Sequence, residues 1–225
     1  MKKRIGVLGG MGPEATVLFQ SRLIAAVAAT DDSDHVPLVV DMNPQVPSRI
    51  AHLIEGTGPD PAPVLAAMAR RLEAAGAAAL AMPCNTAHHY ADAIRGAVGI
   101  PFLDMVALSA AAAPGEGPVG MLASPAVRMT VLFERAFGDR PVLWPADEAP
   151  MLAAIRAIKV AGPDATAREI LATASAELRD RGAEVQLVAC SEFSMIAEAV
   201  APGVTAIDTV DVLVAAARDF SLNRP

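Results

Sequence analysis

RLEAAGAAALAMPC, residues 71–84, and ELRDRGAEVQLVAC, residues 177–190, are two copies of one pattern, and each copy ends in one of the chain's only two cysteines. Identical residues recur at one offset of 106 positions: Leu72 with Leu178, Gly76 with Gly182, Ala77 with Ala183, and Cys84 with Cys190. The pattern is that of a helix, a glycine cap and a buried strand. It therefore predicts a duplicated α/β fold in which the two thiols face one cleft from opposite sides.

The duplication extends beyond the cysteines. The segment TVLF at residues 16–19 recurs at residues 130–133, and IPFLD at 100–104 has its counterpart in VTAID at 204–208. Four short apolar runs in each half alternate with helical segments, which indicates parallel sheets joined by right-handed crossovers. We predict a first lobe of residues 1–105 plus 210–225 and a second lobe of residues 106–209. The lobes are expected to be Rossmann-like, related by a pseudo-two-fold axis, with the active site between them.

The composition excludes several classes of protein. The net charge of −7 argues against a general nucleic-acid binder, which needs a basic face. Two cysteines do not make a disulfide framework, and no apolar segment approaches the ~18 residues of a membrane helix. We expect a cytoplasmic protein that binds neither nucleic acid nor membrane.

Candidate site residues converge at one end of the predicted sheets, because ligands of parallel sheets bind beyond the carboxyl ends of the strands. That end holds the turn Gly9–Gly12, the proline-rich loop Asn43–Arg49, and Ser124. It also holds each cysteine with the residues that follow it. A helix expected to begin near Thr86, and another after Cys190, would stabilise thiolates through their N-terminal amides. The plain alternative is that each cysteine is a small buried hydrophobe.

Other chemistries remain open from the residues alone. His88, four residues after Cys84, allows a Cys–His nucleophile pair. The run GMGPEA at residues 10–15 fits a dinucleotide fingerprint, with Asp41 placed as the ribose-binding acid. No Cys-x-x-Cys or His-x-x-x-His spacing is present, so no metal site is expected.

Two cations are candidate anion-binding residues. Arg49 lies in a loop stiffened by prolines, where its guanidinium can bind a carboxylate through two hydrogen bonds. Lys159 is one of only three lysines, and the other two are Lys2 and Lys3. Lys159 lies 110 positions after Arg49, between the repeat offset of 106 for the cysteines and that of 114 for the TVLF segments. The same pseudo-two-fold axis can therefore relate the two cations.

Four motifs together resemble the aspartate racemase branch of the aspartate/glutamate racemase superfamily. They are GGMGPEAT at residues 9–16, NPQVPSR at 43–49, MPCNTAH at 82–88 and ACSE at 189–192. The resemblance covers essentially the whole chain, with the motifs in the family's order and spacing. One departure is that the usual Cys-Thr-Glu is here Cys-Ser-Glu, followed by Phe193, which is expected to narrow the pocket.

The resemblance implies a two-lobed enzyme, often a homodimer, that works without pyridoxal phosphate, metal or nucleotide. Its expected reaction is racemisation of an acidic amino acid, L-aspartate first, with Cys84 and Cys190 as the two acid–base groups. The expected substrate-binding residues are Met11, Asn43, Gln45, Arg49, Asn85, Thr86, Ser124, Lys159, Ser191 and Glu192. Alternatives are a glutamate or broad-specificity racemase, a maleate isomerase, an arylmalonate-type decarboxylase, and a non-catalytic small-anion binder.

Overall fold

The structure, a computed structural model, describes residues 2–223, and Met1 and residues 224–225 lie outside the described part. Eight strands form two sheets: β1 Ile5–Gly9, β2 Leu38–Met42, β3 Ala79–Ala81, β4 Phe102–Leu103, β5 Val119–Leu122, β6 Val142–Leu143, β7 Val185–Val188 and β8 Thr205–Asp208. The α-helices are α1 Pro13–Ala25, α2 Arg49–Leu53, α3 Ala62–Ala74, α4 Ala91–Arg95, α5 Met105–Ala112, α6 Pro125–Met129, α7 Leu132–Phe137, α8 Ala149–Ala161, α9 Ala165–Asp180 and α10 Thr209–Leu222.

The two sheets have the same topology. Their strand orders are β2-β1-β3-β4 and β6-β5-β7-β8, and every pairing is parallel. The central strands β1, β3 and β5 are buried along their whole length, as expected of strands covered by helices on both faces. The predicted two-lobed α/β fold is confirmed.

The last helix packs against the core of the first sheet. Its residues Val210, Leu213 and Ala217 share one buried cluster with Ile5 and Phe19. The adjoining helix α5 contributes Met105 to that cluster and Val106 to the core of the second sheet. This packing supports the lobe boundaries, residues 1–105 plus 210–225 and 106–209, which we keep as a proposal. The terminal residues of the first range lie outside the described ones.

Several predicted element boundaries are corrected. Pro13 is well placed at the first position of a helix that the sequence predicts to run to about Ala29, but α1 ends at Ala25, with Ala26 as its cap. The segments after the two cysteines form 3₁₀ turns, Thr86–Tyr90 and Phe193–Ala199, in place of the expected α-helices. Such turns are short and irregular, and their i→i+3 bonds are less well aligned than those of an α-helix.

One glycine on β1 and one on β5 allow a helix to lie close to each sheet. A Cβ added to Gly6 would lie 2.8 Å from the Ala77 Cβ and 2.9 Å from the Leu80 Cδ2. At the equivalent Gly120, it would lie 2.9 Å from the Gln186 Cγ, and the Gln186 side chain is buried and held by hydrogen bonds to Ser175 and Ala183. Both positions therefore require glycine for packing.

Gly6→Ala is expected to lower the free energy of unfolding by about 1–3 kcal/mol, because an extra methyl group must force packed neighbours apart. Urea denaturation measures the change. Gly117→Ala is the matched control, since nothing lies within 4 Å of its added Cβ. Equal stability of the two variants would contradict the packing role of Gly6.

Candidate active site

One cleft gathers residues from both lobes at the carboxyl ends of the strands. Its volume is about 660 Å³, which suits a small molecule. Cys84 and Cys190 both line it, each 8% exposed, so each thiol is nearly buried yet reaches the cleft. The location agrees with the prediction from the strand ends.

The glycine-rich turn forms one wall. Gly10 adopts a φ of +93°, and a Cβ there would lie 2.4 Å from the carbonyl carbon of Asn43. The Thr16 hydroxyl accepts a hydrogen bond from the Gly10 amide at 2.9 Å and donates one to the Gly12 carbonyl at 3.1 Å. The turn is thus fixed against the loop that follows β2, and Met11 and Gly12 line the cleft.

The proline-rich loop Asn43–Arg49 forms the next part of the wall. The Asn43 side chain accepts a hydrogen bond from the Gln45 amide at 3.1 Å, so it shapes the loop and does not line the cleft. Gln45 and Arg49 do line it. The Arg49 Nη1 donates to the carbonyls of Val46 and Pro47, at 3.2 and 2.8 Å. These bonds hold the guanidinium in place at the cleft.

His88 supports the Cys84 turn through the backbone. Its Nδ1 lies 2.9 Å from the Cys84 carbonyl oxygen, and its Nε2 accepts a hydrogen bond from the Met105 amide at 3.1 Å. Burial lowers the pKa of His88, so its ring is neutral with the proton on Nδ1. Both ring nitrogens are occupied by backbone groups. The Cys–His nucleophile pair is therefore wrong.

Asn85 joins the first cysteine turn to the last helix. Its amide nitrogen donates to the Thr209 hydroxyl at 2.9 Å, and that hydroxyl donates to the Val188 carbonyl at 3.0 Å. Asn85 is 2% exposed and lies behind the cleft lining. Thr86, the next residue, does line the cleft.

The second cysteine belongs to a charged cluster. The Cys190 thiol donates to the Glu192 Oε2 at 3.0 Å, and the Ser191 hydroxyl donates to the same oxygen at 3.3 Å. The Lys159 ammonium, from the last turn of α8, forms an ion pair with the other oxygen, Oε1. Glu192 thus connects the thiol with the ammonium.

The electrostatics of this cluster fix its protonation. Burial, then the charge and hydrogen bond of Glu192, raise the pKa of the Cys190 thiol well above its ordinary value. Burial opposes ionisation of Glu192, but Lys159 and the hydrogen bonds outweigh it and lower the Glu192 pKa. Burial likewise opposes the charge on Lys159, yet Glu192 raises the Lys159 pKa. At neutral pH the cluster holds a Cys190 thiol, a carboxylate and an ammonium.

The expected stabilisation of a Cys190 thiolate by a helix N-terminus is therefore wrong for the resting protein. A 3₁₀ turn that begins at Phe193 offers no extended helix dipole, and the nearest charge to the sulfur is a carboxylate. Phe193 is fully buried in the core of the second lobe and does not line the cleft. It does not narrow the pocket by direct contact.

Residues that the sequence reasoning missed hold the second cysteine turn. The Ser194 hydroxyl donates to the Asp208 Oδ1 at 2.7 Å, and Asp208 also binds Arg22 of α1 at 2.6 Å. Ser194 lies 106 residues after His88, so the repeat itself was the signal that could have found it. The two cysteine turns have equivalent supports made of different side chains.

Seven of the ten predicted substrate-binding residues line the cleft with the two cysteines: Met11, Gln45, Arg49, Thr86, Ser124, Lys159 and Glu192. The remaining three, Asn43, Asn85 and Ser191, lie outside its lining and support it. Lining residues outside the turn, loop, cysteine segments and single residues selected from the sequence are Pro13, Glu14, Ile50 and Ile155. Glu14 lies two residues after the glycine turn, and this closeness was the available signal.

The dinucleotide interpretation does not fit the geometry. Asp41, its ribose-binding acid, binds Arg71 of α3 through two nitrogens, at 2.9 and 2.7 Å, and does not line the cleft. Among residues 2–223 no cluster of three or more His, Cys, Asp or Glu side chains has the arrangement of a metal site. Over the same residues, no helix is both long enough and apolar enough to span a membrane.

Two matching parallel sheets with a thiol from each lobe in one charged cleft define the chain as a two-lobed α/β protein with a paired-thiol cleft. The family model described as Asp/Glu/Hydantoin racemase matches residues 8–217. The chain belongs to this family.

Individual relatives agree with the family assignment. The structure of Picrophilus torridus aspartate racemase is 28% identical, with a TM-score of 0.85 over 96% of this chain and 92% of that one. An aspartate racemase homologue of Pyrococcus horikoshii OT3 is 19% identical and shares the fold, with a TM-score of 0.76 over 99% and 100% of the two chains. The broad specificity amino-acid racemase RacX of Bacillus subtilis (strain 168) is 32% identical over 106 residues, which span 45% of each protein.

Proposed function

We propose that this protein racemises an acidic amino acid, L-aspartate first, with Cys84 and Cys190 as two acid–base groups and without a cofactor. The observation that carries the proposal is the position of both thiols in one cleft, each at the end of an equivalent strand. Two acid–base groups on opposite faces of a carbon can remove a proton from one face and add one to the other. A binding protein has no need of the second thiol.

We infer the roles of the two cysteines in the resting enzyme from the charged cluster. Cys190 rests as a thiol held by Glu192, so it donates a proton, and Cys84 is the base that removes the α-proton. After the transfer, Cys84 carries the proton and Cys190 is the thiolate, ready for the opposite enantiomer. Lys159 then offsets part of the repulsion between the new thiolate and Glu192.

The α-proton of an amino acid is very weakly acidic, so the thiol pair alone does not account for the reaction. General acid–base catalysis contributes about 10²–10⁴-fold, and preorganised dipoles and charges must supply much of the rest. Thr86, Ser124 and the backbone amides of the cysteine turns are the donors available in the cleft wall. We assign them to stabilising the planar carbanion.

The test is incubation of the pure, reduced protein with L-aspartate, followed by chiral chromatography. D-Aspartate is the expected product. L-Glutamate, L-alanine, maleate and an arylmalonate are run in parallel, so that conversion of another compound alone identifies an alternative family activity. Binding of dicarboxylates without any conversion would favour the small-anion binder and contradict the proposal.

A wider substrate range is the second candidate. It is favoured by the ion pair between Lys159 and Glu192, which leaves Arg49 as the cleft cation without a carboxylate partner among the described residues. The partial match to a relative named for broad specificity points the same way. The substrate panel distinguishes the two candidates by their relative rates.

Arg49→Ala is expected to raise the KM for aspartate about tenfold, because the guanidinium that binds the substrate carboxylate is lost. The effect on kcat should be smaller. Arg49→Lys keeps the charge but cannot form paired hydrogen bonds, so its KM for aspartate should lie between those of the wild type and Arg49→Ala. Steady-state kinetics measure these values. An unchanged KM for aspartate in Arg49→Ala would remove Arg49 from the substrate site.

The proposal also includes a homodimer and a cytoplasmic location. Both rest on the family resemblance of the motifs. Sedimentation equilibrium at several concentrations of the full chain tests the dimer, and a monomer at all of them would exclude it.

A further inference from the structure

Glu14 is a carboxylate on the cleft wall with no role in the scheme above. It lies in the first turn of α1 and lines the cleft beside Gly12. Within residues 2–223 its carboxylate has no hydrogen bond and no ion pair, whereas the cleft's other carboxylate, Glu192, is fully engaged. The cleft therefore contains one free anionic group.

Three charged groups from the two lobes meet around Gly12. A Cβ built on Gly12 would lie 3.3 Å from the Glu14 Oε2, 3.7 Å from the Lys159 Nζ and 3.9 Å from the Glu192 Oε1. Only Glu192 is ion-paired with the Lys159 ammonium, and the three groups together carry a net charge of −1. Arg49, in the loop after β2, supplies the positive charge of the cleft.

Every amino-acid substrate carries the complementary charges, an ammonium and a carboxylate, both attached to its α-carbon. Its α-carbon must lie between the two thiols. The Cys190 thiol is hydrogen-bonded to Glu192, which belongs to the charged group around Gly12. The α-ammonium, one bond from that carbon, then lies at the negative end of the cleft, while a carboxylate faces Arg49. We propose that Glu14 is a substrate-binding residue that accepts a hydrogen bond from the α-ammonium group.

The contact also has a chemical consequence. An α-ammonium withdraws electrons from the α-carbon and so acidifies its proton, but only while it remains protonated. A neighbouring carboxylate favours the protonated form. Glu14 therefore both places the substrate and keeps its amine charged. Its position in the first helical turn also stabilises α1, and the test must separate that effect.

The experiment compares ligands that differ only in the amino group, using isothermal titration calorimetry on the full chain. The pairs are DL-aspartate with succinate and DL-alanine with propionate, since racemic ligand is already at equilibrium. Glu14→Gln should weaken binding of the amino acid in each pair about tenfold and leave the deaminated analogue unchanged or tighter. Glu169→Gln removes the same charge from an exposed residue and should change the affinity for neither ligand of a pair.

The inference rests on the proposed function, and the outcomes separate the two. Equal effects of Glu14→Gln on both members of a pair, or no effect on either, would overturn the role of Glu14 while wild-type racemisation stands. A wild-type protein that binds neither amino acid would overturn both. A change in helix stability alone would appear in thermal unfolding and not in the ratio of the two affinities.

Discussion

Replacing either Cys84 or Cys190 with alanine is expected to lower racemisation of aspartate by at least about a thousandfold. Each thiol serves one face of the α-carbon, so loss of either one breaks the transfer in both directions. Chiral chromatography after long incubation measures the residual rate. The two variants should be equally impaired, although the resting protein holds their thiols in different surroundings.

Exchange of the α-proton with solvent separates the two variants. Cys190→Ala retains Cys84 as a base and should exchange the α-proton of one enantiomer without inverting it. Cys84→Ala should act on the other enantiomer. Cys84→Ser and Cys190→Ser serve as controls that preserve the side-chain volume. Substantial racemisation by any of these variants would contradict the two-base scheme.

Replacing Glu192 with glutamine is expected to lower kcat/KM for aspartate by about two orders of magnitude. The amide removes the charge that, together with burial, keeps the proton on Cys190. It also leaves Lys159 without its ion-pair partner at the cleft. The variant therefore lacks both the carboxylate that holds the Cys190 proton and the negative charge that balances Lys159.

The pH dependence of this variant has a definite sign. Activity in the direction that uses Cys190 as the acid is lost as that thiol deprotonates at high pH. Glu192 raises the Cys190 pKa, so Glu192→Gln should move the basic limb of the kcat/KM profile to lower pH. Glu198→Gln is the matched control, because Glu198 is exposed and pairs with Arg168. An unmoved basic limb would mean that Glu192 has no role in the ionisation of Cys190.

The sequence was sufficient to predict the architecture because the repeat and the apolar runs are both local patterns. Strand β3, for example, is the buried strand that the repeat predicts before Cys84, and it is observed as Ala79–Ala81. The segments after the cysteines were predicted as α-helices and form 3₁₀ turns. Hydrogen bonds with distant elements hold these turns, and one example runs from the Met105 amide to the His88 ring. No local sequence pattern reveals such bonds.

Most of the residues that line the cleft were predictable from the sequence, but the ion pair and hydrogen bonds between them were not. Lys159 and Glu192 were both selected as substrate-binding residues, yet they lie 33 positions apart and bind each other. Asn85 was selected for the cleft, and its amide nitrogen binds Thr209, 124 positions away. Pairing across such separations depends on how α8 and α10 pack, which follows from the whole fold.

The two-base scheme requires two different groups to act on the two faces of the α-carbon. NMR and mass spectrometry of L-aspartate incubated briefly with the reduced protein in D₂O test this requirement. We expect the first D-aspartate formed to carry deuterium at the α-carbon, while unreacted L-aspartate keeps its protium. Deuterium entering both enantiomers at equal rates from the start would indicate a single base and rule out the two-base scheme.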